Sequence, residues 1–432
     1  MAEAAAARGQ PDRAADRARA GLTGMGEILF LAHRIPFPPD RGDKIRSHHI
    51  LKALAALAPV HVACLADNAQ DMAHEAELAA VAASHCLVRR RGSLIGAGLS
   101  ALLSGRPISL AAFASTRLAR YVKQVLATRP ISTIFVFSGQ MAQYVPASFQ
   151  GRVVMDFVDV DSAKFGQYGR RPGLGAPVYL REAWLLRRYE ARIARRATTS
   201  LLVSEAEADL LRSRLGQGPI PDVRALGNGI DTALFDPAGI PMAPELVMGG
   251  PQIVFTGQMD YPPNVEAVVT FARQVMPLIK GRFPGAQFNV VGRAPTAPVL
   301  ALDGVNGTRV TGAVPDVRPW LAGADLVVVP LSLARGVQNK VLEAMAMARP
   351  VLLTPQAATG IAAVDGRDFA ISPADPEELA ARAVGLLTDT IRADALGRAA
   401  RAFVIAQCGW DRVLAPLPGL VGLDRRFGRR AA

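Results

Sequence analysis

The segment from Leu326 to Leu353 combines a short apolar strand, a glycine loop and a helix whose first turns carry an ammonium and a carboxylate. Lys340 and Glu343 lie three residues apart, so on a helix they share one face. A lysine beside the free N–H groups of a helix N-terminus can bind a diphosphate, and a carboxylate can accept two sugar hydroxyls. The spacing predicts a phosphate and sugar site. As an alternative, Glu343 complements the helix dipole and Lys340 is a solvated surface residue.

Two strands and a loop are expected to position this helix. Residues 326–329 are apolar, β-branched and followed by Pro330, as in a buried parallel strand, and residues 351–354 repeat the pattern. Gly336 allows a ligand to approach the backbone closely, and Asn339 is predicted as the helix N-cap. Because ligands of parallel sheets gather at the carboxyl ends of strands, the loop supplies candidate contacts. These are Arg335, Gly336, Val337, Gln338 and Asn339.

Further candidate contacts follow other predicted strands of the same half. Gly257 and Gln258 come directly after the strand at 252–256, and Arg293 closes the run FNVVGR. Asp316 follows the next strand, where it also fits an ordinary helix N-cap. Carboxyl ends of parallel strands share one edge of a sheet, so these residues are expected to lie near the loop that contains Gly336.

The first half of the chain opens with a strand, a glycine loop and a helix. The loop contains Gly42, and Asp43, Lys44 and Arg46 surround it at the start of the helix predicted over 43–58. These residues are candidate ligand contacts. Asp43 fits equally well as a cap of the helix.

Three carboxylates stand within six residues in the string MDFVDVDSAKF, directly after a predicted strand at 153–157. Asp156, Asp159 and Asp161 would repel one another unless each is hydrogen-bonded or paired with a cation. They are predicted to receive acceptor hydroxyls or to assist a proton transfer, a role assigned first to Asp159.

Length and composition bound the architecture. With 432 residues, of which 50% are hydrophobic, the chain can build two cores. No apolar run reaches the roughly 18 to 20 residues that span a bilayer. Residues 1–24 lack the apolar core of a signal peptide and are predicted to be a disordered extension, which favours a cytoplasmic protein. Cys64, Cys86 and Cys408 form no CxxC pair, so neither a disulfide framework nor a metal site is expected.

Positive charge is concentrated in the first half of the chain. The net charge is +12, and residues 78–155 contain nine basic residues or more but no Asp or Glu. A second basic cluster at 181–196 includes Trp184, which could anchor an interfacial helix. This pattern predicts attraction to an anionic membrane surface. No nucleic-acid-binding signature is present, so nucleic acid is not expected as a partner.

Alternation of strands and helices predicts an α/β protein made of two doubly wound, Rossmann-like parallel-sheet domains that face one another across a cleft. The predicted divisions are a disordered extension at 1–24, an N-terminal domain at 25–226 and a linker at 227–250. A second domain follows at 251–405, with a C-terminal helix and basic tail at 406–432. Turn residues in LGNGIDTALFDP place the linker.

Four motifs together resemble a known family. The strings IPFPPDRGDKIRSHH, MDFVDVDSAKF, TGQMDYPPN and GVQNKVLEAMAMARPV are similar to retaining glycosyltransferases of the GT-B fold, glycosyltransferase family 4. Within that family they resemble the branch that accompanies bacterial exosortase and PEP-CTERM exopolysaccharide systems. The resemblance extends from about Ile28 to Val413.

The resemblance implies transfer of a sugar, with retention at the anomeric carbon, from a nucleotide diphosphate sugar to a saccharide acceptor that is lipid-linked. No cofactor is implied beyond the nucleotide sugar. The first domain would bind the acceptor near Gly42, Asp43, Lys44, Arg46, Asp156 and Asp161. The second would bind the donor through Gly257, Gln258, Arg293, Asp316, the loop 335–339, Lys340 and Glu343. Peripheral attachment to the inner face of the cytoplasmic membrane is the implied location.

The chain departs from the family pattern at three positions. Arg335 stands where the family commonly has a Glu, and Gln258 and Asn264 stand where it usually has an Arg and a Lys. These departures leave two alternatives open. One is a sugar-nucleotide epimerase of the same fold, and the other is a non-catalytic subunit that binds a nucleotide sugar.

Overall fold

Most of the strands are short and rich in apolar residues, as the sequence predicts for parallel sheets. The structure, a computed structural model, describes residues 26–90, 98, 101, 104–170, 173, 175–246, 249–334 and 337–423. The predicted extension at 1–24, the predicted ligand contacts Arg335 and Gly336, and the end of the basic tail at 424–432 lie outside the described residues.

The chain divides into two compact units. The N-terminal unit comprises residues up to Leu201, Arg214–Val223 and the segment from Pro416, and the C-terminal unit comprises Leu202–Ser213 and Arg224–Ala415. These boundaries differ from the predicted ones, since the predicted linker at 227–250 belongs to the C-terminal unit. The segment from Pro416 belongs to the N-terminal unit, where Thr133 Oγ1 donates to the Val421 carbonyl at 3.0 Å.

The N-terminal sheet has seven strands in the order β3-β2-β1-β4-β5-β6-β7. The pairs β1–β2, β1–β4, β2–β3 and β4–β5 are parallel. Every residue of β1 and β2 is buried, which explains why both are apolar except for Glu27 and His61, which pair with each other at 2.8 Å. The strands are Glu27–Ala32 (β1), Val60–Ala66 (β2), Ser84–Arg89 (β3), Ile131–Phe137 (β4), Arg152–Val158 (β5), Thr199–Leu202 (β6) and Val223–Ala225 (β7).

Helices cover this sheet, and buried carboxylates join two of them to their neighbours. Glu182 and Glu190 on α7 accept hydrogen bonds from the backbone N–H groups of Ser109 (2.9 Å) and Ser162 (2.8 Å). Each carboxylate thereby compensates the partial positive charge and the free N–H groups at the N-terminus of a neighbouring helix. The helices are Gly42–Ala55 (α1), Ala69–Ala73 (α2), Glu75–Val81 (α3), Ile108–Ala112 (α4), Thr116–Thr128 (α5), Asp161–Arg170 (α6) and Ala176–Arg196 (α7), with a 3-10 turn at Gly139–Tyr144. The next helix, Glu205–Arg214 (α8), belongs up to Ser213 to the C-terminal unit.

The C-terminal sheet has six strands in the order β10-β9-β8-β11-β12-β13, and each adjacent pair is parallel. Successive strands add outward on one side of β8, and the chain then returns to add strands on the other side. This reversal of order between β8 and β11 is a topological switch point. The strands are Gln252–Thr256 (β8), Gln287–Val291 (β9), Thr308–Gly312 (β10), Leu326–Val329 (β11), Val351–Leu353 (β12) and Ala370–Ile371 (β13).

The helices of the C-terminal unit bury apolar faces against its sheet. The single helix predicted at 264–280 is interrupted by a π-turn at Phe271–Val275, directly before Pro277, which lacks an amide N–H for the regular helical hydrogen bond. The helices are Pro262–Thr270 (α9), Met276–Arg282 (α10), Ala297–Leu300 (α11), Arg318–Ala322 (α12), Asn339–Ala346 (α13), Pro355–Ala358 (α14), Pro376–Thr388 (α15), Thr390–Gln407 (α16), Trp410–Val413 (α17) and, in the other unit, Leu417–Leu420 (α18).

Three residues predicted to bind the acceptor are buried instead. Arg46 and Asp156 are 1% and 0% exposed and form an ion pair of 2.9 Å between α1 and β5. Lys44 is also buried and pairs with Asp71 at 2.7 Å. The prediction is therefore corrected for these three, since their charged groups are directed into the protein and neutralised there. A charged side chain can lie in the core when a residue from a distant element supplies its counter-ion.

The Arg46–Asp156 pair predicts a specific stability effect. Replacing Asp156 by Asn leaves the Arg46 charge buried without its counter-ion, so the free energy of unfolding should fall by about 3 to 5 kcal/mol. The double variant Arg46→Met/Asp156→Leu removes both charges and should recover most of the loss. Urea unfolding followed by circular dichroism measures both. Wild-type stability of Asp156→Asn would show that the pair contributes nothing.

Candidate functional site

The switch point of the C-terminal sheet brings the predicted donor residues together. β8 and β11 are neighbours with Ile253 opposite Leu326 and Val254 opposite Val327. At such a reversal the chains leave the carboxyl ends of neighbouring strands in different directions, and α/β proteins bind ligands at that edge. Lys340 on α13 is a charged residue at this edge.

One residue of β8 and one from the segment after it fix the position of the Lys340 ammonium. Its Nζ donates to Asn264 Oδ1 at 2.6 Å and lies 4.3 Å from the centre of the Phe255 ring. The Asn264 amide in turn donates to the Gln258 carbonyl at 2.8 Å. These contacts hold the ammonium over an aromatic face, where the ring quadrupole favours a cation. Asn264, a departure from the resembled family, therefore positions the lysine.

This arrangement requires glycine at two positions. A Cβ at residue 257 would lie 2.9 Å from both Lys340 Nζ and Asn264 Nδ2, and a Cβ at Gly292 would lie 1.6 Å from the Gly257 carbonyl oxygen. Gly292 also has φ of 158°, which side chains rarely adopt. The loops after β8 and β9 consequently approach each other closely beside the ammonium.

Burial opposes ionisation at both charged residues of α13. It lowers the pKa of Lys340 to about 7, although the Glu343 charge acts in the opposite direction. Burial likewise raises the pKa of Glu343 to about 7, partly offset by Lys340. The two groups lie on one helix face, as the spacing predicts, but form no ion pair with each other in the described part of the chain. Both pKa values are thus shifted towards neutrality, and the two groups titrate as a coupled pair.

The Glu343 carboxylate has no hydrogen-bond partner and no counter-ion within contact distance among the described residues. Glu343 is half-buried, and its oxygens are not among the fully buried polar atoms that lack a partner. A carboxylate in this situation at a ligand-binding edge is available to accept hydrogen bonds from a bound molecule.

Helix α13 begins one residue earlier than predicted. Asn339 is its first residue, and Gln338 occupies the N-cap position without a capping side-chain hydrogen bond. The prediction of Asn339 as N-cap is therefore wrong. Its side chain instead accepts from Asn228 Nδ2 at 3.4 Å. Asn228 lies in the predicted linker and has no predicted role, although the Asn-Gly pair in LGNGID marks a turn that could expose it.

Gln258 and Arg293, which are also predicted to bind the donor, lie at the same edge. Asp316, a third such residue, pairs with Arg318. Arg293 is exposed and approaches Gln258 Oε1 at 3.4 Å. Asp316 forms an ion pair of 2.7 Å with Arg318, whose hydrogen bonds lower the pKa of the carboxyl. It accepts from the Arg318 backbone at 2.9 Å and so caps the start of α12 from two residues before it. Val337, from the predicted loop, lies against Gly360.

In the N-terminal unit, Asp43 is the centre of a charged cluster at the end of β1. Its carboxylate lies 2.7 Å from Arg34, 3.2 Å from Arg41 and 3.2 Å from His33. Burial opposes its ionisation, but these neighbours together hold the pKa of Asp43 well below its usual range. Neither His33 nor Arg34 has a predicted role. His33 stacks on Phe137 of β4, with ring centres 5.7 Å apart, at the switch point of this sheet.

The three aspartates in and after β5 do not share one site. Asp156 is buried, Asp159 is exposed, and Asp161 is partly buried and accepts from Gln140 Nε2 at 2.9 Å. Burial raises the pKa of Asp161, and His33 is close enough to lower it in part. Val158 between them has φ of 68°, a strained conformation for a β-branched residue. Gly42 is exposed at the start of α1.

The described residues include no group of three or more His, Cys, Asp or Glu that could hold a metal ion. Within the same residues, no helix has the length and apolar character needed to cross a membrane.

Comparison with known proteins identifies the C-terminal segment. Residues 250–389 match the family model described as Glycosyl transferases group 1. The match lies within the C-terminal unit and includes Gly257, Lys340 and Glu343. No curated protein matches the chain in sequence.

Solved structures with the same architecture cover nearly the whole chain. HepE from Anabaena, in complex with UDP and glucose, is 16% identical with a TM-score of 0.64, over 92% of this chain and 99% of that chain. Sucrose-phosphate synthase from Thermosynechococcus elongatus is 17% identical with a TM-score of 0.64, over 91% and 98%. WaaG, a glycosyltransferase involved in lipopolysaccharide biosynthesis, is 16% identical with a TM-score of 0.59, over 92% and 100%.

At these identities the likeness shows a shared fold. The two-domain α/β fold of the GT-B type is confirmed, and the segment 250–389 is similar to group 1 glycosyltransferases.

The free carboxylate of Glu343 predicts an unusual effect on stability. Because its pKa is raised from 4.5 to about 7 in the folded protein, ionisation favours the unfolded chain as pH rises from 4.5 through 7. Glu343→Gln removes this effect and should increase the free energy of unfolding at pH 8 by about 1 to 3 kcal/mol. At pH 4 the two proteins should be equally stable. Chemical unfolding at the two pH values measures the difference. Destabilisation at pH 8 would show that the carboxylate supports the fold.

Proposed function

We propose that this protein is a glycosyltransferase that moves a sugar from a nucleotide diphosphate sugar to a saccharide acceptor. The observation that carries the proposal is the pair on α13: an ammonium positioned by Asn264 at the helix N-terminus and a carboxylate without a protein partner one turn later. The group 1 glycosyltransferase match, which contains both residues, supports it. HepE, which shares the fold, has been solved in complex with UDP-glucose.

The donor diphosphate would bind Lys340 and the free N–H groups at the start of α13. Both favour an anion, and the bound phosphate would restore the full charge of the buried ammonium. Glu343 would accept hydroxyl groups of the transferred sugar. Gly257 would allow the diphosphate to approach the backbone, with Gln258 and Arg293 beside it. The loop from Arg335 to Asn339 and the Asp316 loop would contact the sugar and the nucleotide.

The proposed reaction retains the configuration at the anomeric carbon. An acceptor hydroxyl attacks that carbon from the face that the diphosphate leaves, the bond between the carbon and the diphosphate oxygen breaks, and the hydroxyl proton passes to the diphosphate. Lys340 would stabilise the charge that develops on the leaving group. Such stabilisation acts in the transition state and therefore raises the rate.

The N-terminal unit would bind the acceptor. Gly42 is exposed at the start of α1, Asp159 is exposed in the loop that follows β5, and the charge of His33 acts on the Asp161 carboxyl. Asp43 would act by holding His33 and Arg34 in place. A lipid-linked acceptor, and hence attachment to the inner face of the cytoplasmic membrane in exopolysaccharide synthesis, is supported by the basic character of this half of the chain.

The direct test uses purified protein and a panel of nucleotide sugars, with and without a cell membrane extract. Release of nucleoside diphosphate should require one donor and the extract together. Conversion of the nucleotide sugar without the extract would instead establish an epimerase, and binding without release under every pairing would indicate a non-catalytic subunit.

With that donor, Glu343→Gln should reduce turnover by about 10- to 1000-fold, because hydrogen bonds to a charged acceptor are lost. Glu377→Gln, the same change on the exposed start of α15, is the matched control and should turn over at the wild-type rate. The prediction fails if the folded Glu343→Gln protein is as active as its control.

Affinity for the nucleotide sugar should depend on pH. Burial lowers the pKa of Lys340 to about 7, so the ammonium is lost as pH rises through 7. The Glu343→Gln background leaves Lys340 as the titrating member of the pair and removes the carboxylate that raises its pKa. Affinity should therefore fall by about 10-fold for each pH unit above the Lys340 pKa, and the fall should begin below pH 7.

Titration calorimetry of the Glu343→Gln protein at several pH values measures this change. A further substitution, Lys340→Arg, keeps the positive charge at every pH and should remove the dependence. The same slope with arginine in place would mean that another group titrates.

A further inference from the structure

A cavity of about 410 Å³ in the N-terminal unit is lined by four arginines. It lies between α7, the segment before α4 and the 3-10 turn at Gly139–Tyr144, and none of its lining residues in the described part of the chain is a carboxylate. Its polar lining residues are Arg106, Arg188, Arg192, Arg196, Gln143 and Tyr189.

Helix geometry concentrates three of these charges. Arg188, Arg192 and Arg196 follow one another at intervals of four residues, so they stand on one face of α7. Like charges at this spacing repel and destabilise a helix. An anion bound between the guanidinium groups would offset this repulsion and stabilise the helix.

The acidic residues of α7 do not neutralise this face. Glu182 and Glu190 are buried and accept hydrogen bonds from the starts of α4 and α6. Within the described residues, none of the four arginines forms an ion pair with any carboxylate. Their visible contacts are neutral ones: Arg106 donates to Gln143 Oε1 at 3.1 Å, and Arg196 donates to the carbonyls of Val145 and Pro146.

A buried hydroxyl in the lining is also without a partner. Tyr189 is only 6% exposed, and its Oη has no hydrogen-bond partner among the described residues. Burial raises the pKa of Tyr189, while Arg192, Arg106 and Arg196 lower it in part. The hydroxyl thus lies within electrostatic reach of three guanidinium groups, where it could donate to an oxygen that they also bind.

Apolar residues next to the cavity indicate where the anion comes from. Val178, Leu180 and Trp184 on the first half of α7 are 50%, 50% and 55% exposed. The Arg188 guanidinium lies 4.1 Å from the centre of the Trp184 ring, so the apolar strip adjoins the cavity. Exposed apolar side chains next to several arginines are typical of a helix that lies in a membrane interface.

We propose that this cavity binds the phosphate of an anionic phospholipid headgroup, while Val178, Leu180 and Trp184 enter the interface beside it. Guanidinium groups match phosphate oxygens with paired hydrogen bonds, and Tyr189 adds a further donor. This inference rests on the membrane attachment proposed above and does not depend on the transfer reaction.

The test is flotation of the full-length protein with vesicles of phosphatidylcholine alone or with phosphatidylglycerol added. Arg188→Gln/Arg192→Gln removes two charges from the cavity and should reduce recovery with the anionic vesicles by about 10-fold or more. The matched control, Arg120→Gln/Lys123→Gln, removes two charges from the exposed side of α5 in the same unit. Its recovery should stay within about 2-fold of wild type.

Three outcomes would overturn the proposal. Equal recovery on neutral and anionic vesicles would reject the membrane attachment itself, whether or not the protein transfers sugar. Equal loss in the two double variants would leave only general attraction between a basic protein and an acidic surface. Binding of inorganic pyrophosphate, abolished by Arg188→Gln/Arg192→Gln, in a protein that binds no vesicle would show that the cavity takes a soluble phosphate.

Discussion

The C-terminal unit depends on one constraint. The Lys340 ammonium must be held in place at the point where the order of the strands reverses. Phe255 of β8 faces the Lys340 ammonium, and Asn264 of α9 supplies its hydrogen bond. Gly257 is needed because any side chain there would collide with both polar groups. None of these contacts carries a negative charge. The site is therefore electrostatically incomplete, and an anionic ligand would complete it.

Charged residues of the N-terminal unit lie in two kinds of environment. Near β1 and β5 they are satisfied internally, because Arg46 pairs with Asp156 and Lys44 pairs with Asp71. Along α7 the acidic residues point inward to cap other helices, while the arginines remain at the surface without counter-ions in the described residues. A count of charges along the sequence does not distinguish these situations. Only the direction of each side chain identifies the outer face of α7 as the one suited to an external anion.

Much of the fold could be predicted from periodicity. Buried parallel strands such as β8 and β11 are rich in apolar residues, and their bounds agree with the prediction. β3 was harder to identify, since it contains Ser84, His85 and Arg89, and β13 has only two residues. The return of the chain from Pro416 to the N-terminal unit depends on long-range packing, for which local sequence contains no signal.

The candidate site could be predicted in part. Lys340 and Glu343 share a helix face because their spacing is local, and Gly257 lies at the predicted edge. Lys44, Arg46 and Asp156 are predicted to contact a ligand because a charged residue near a loop is usually exposed. The structure buries them, because residues from distant elements pair with them. The roles of His33 and Asn264 likewise depend on contacts across the sheet edge, which the sequence does not encode locally.

The most direct test of the central claim is a crystal structure of the protein with its nucleotide sugar bound. The account predicts diphosphate oxygens within hydrogen-bond distance of Lys340 Nζ and of the first N–H groups of α13, with sugar hydroxyls on the Glu343 carboxylate. A nucleotide sugar bound elsewhere, with the Lys340–Asn264 hydrogen bond unchanged and Glu343 still unpartnered, would contradict it.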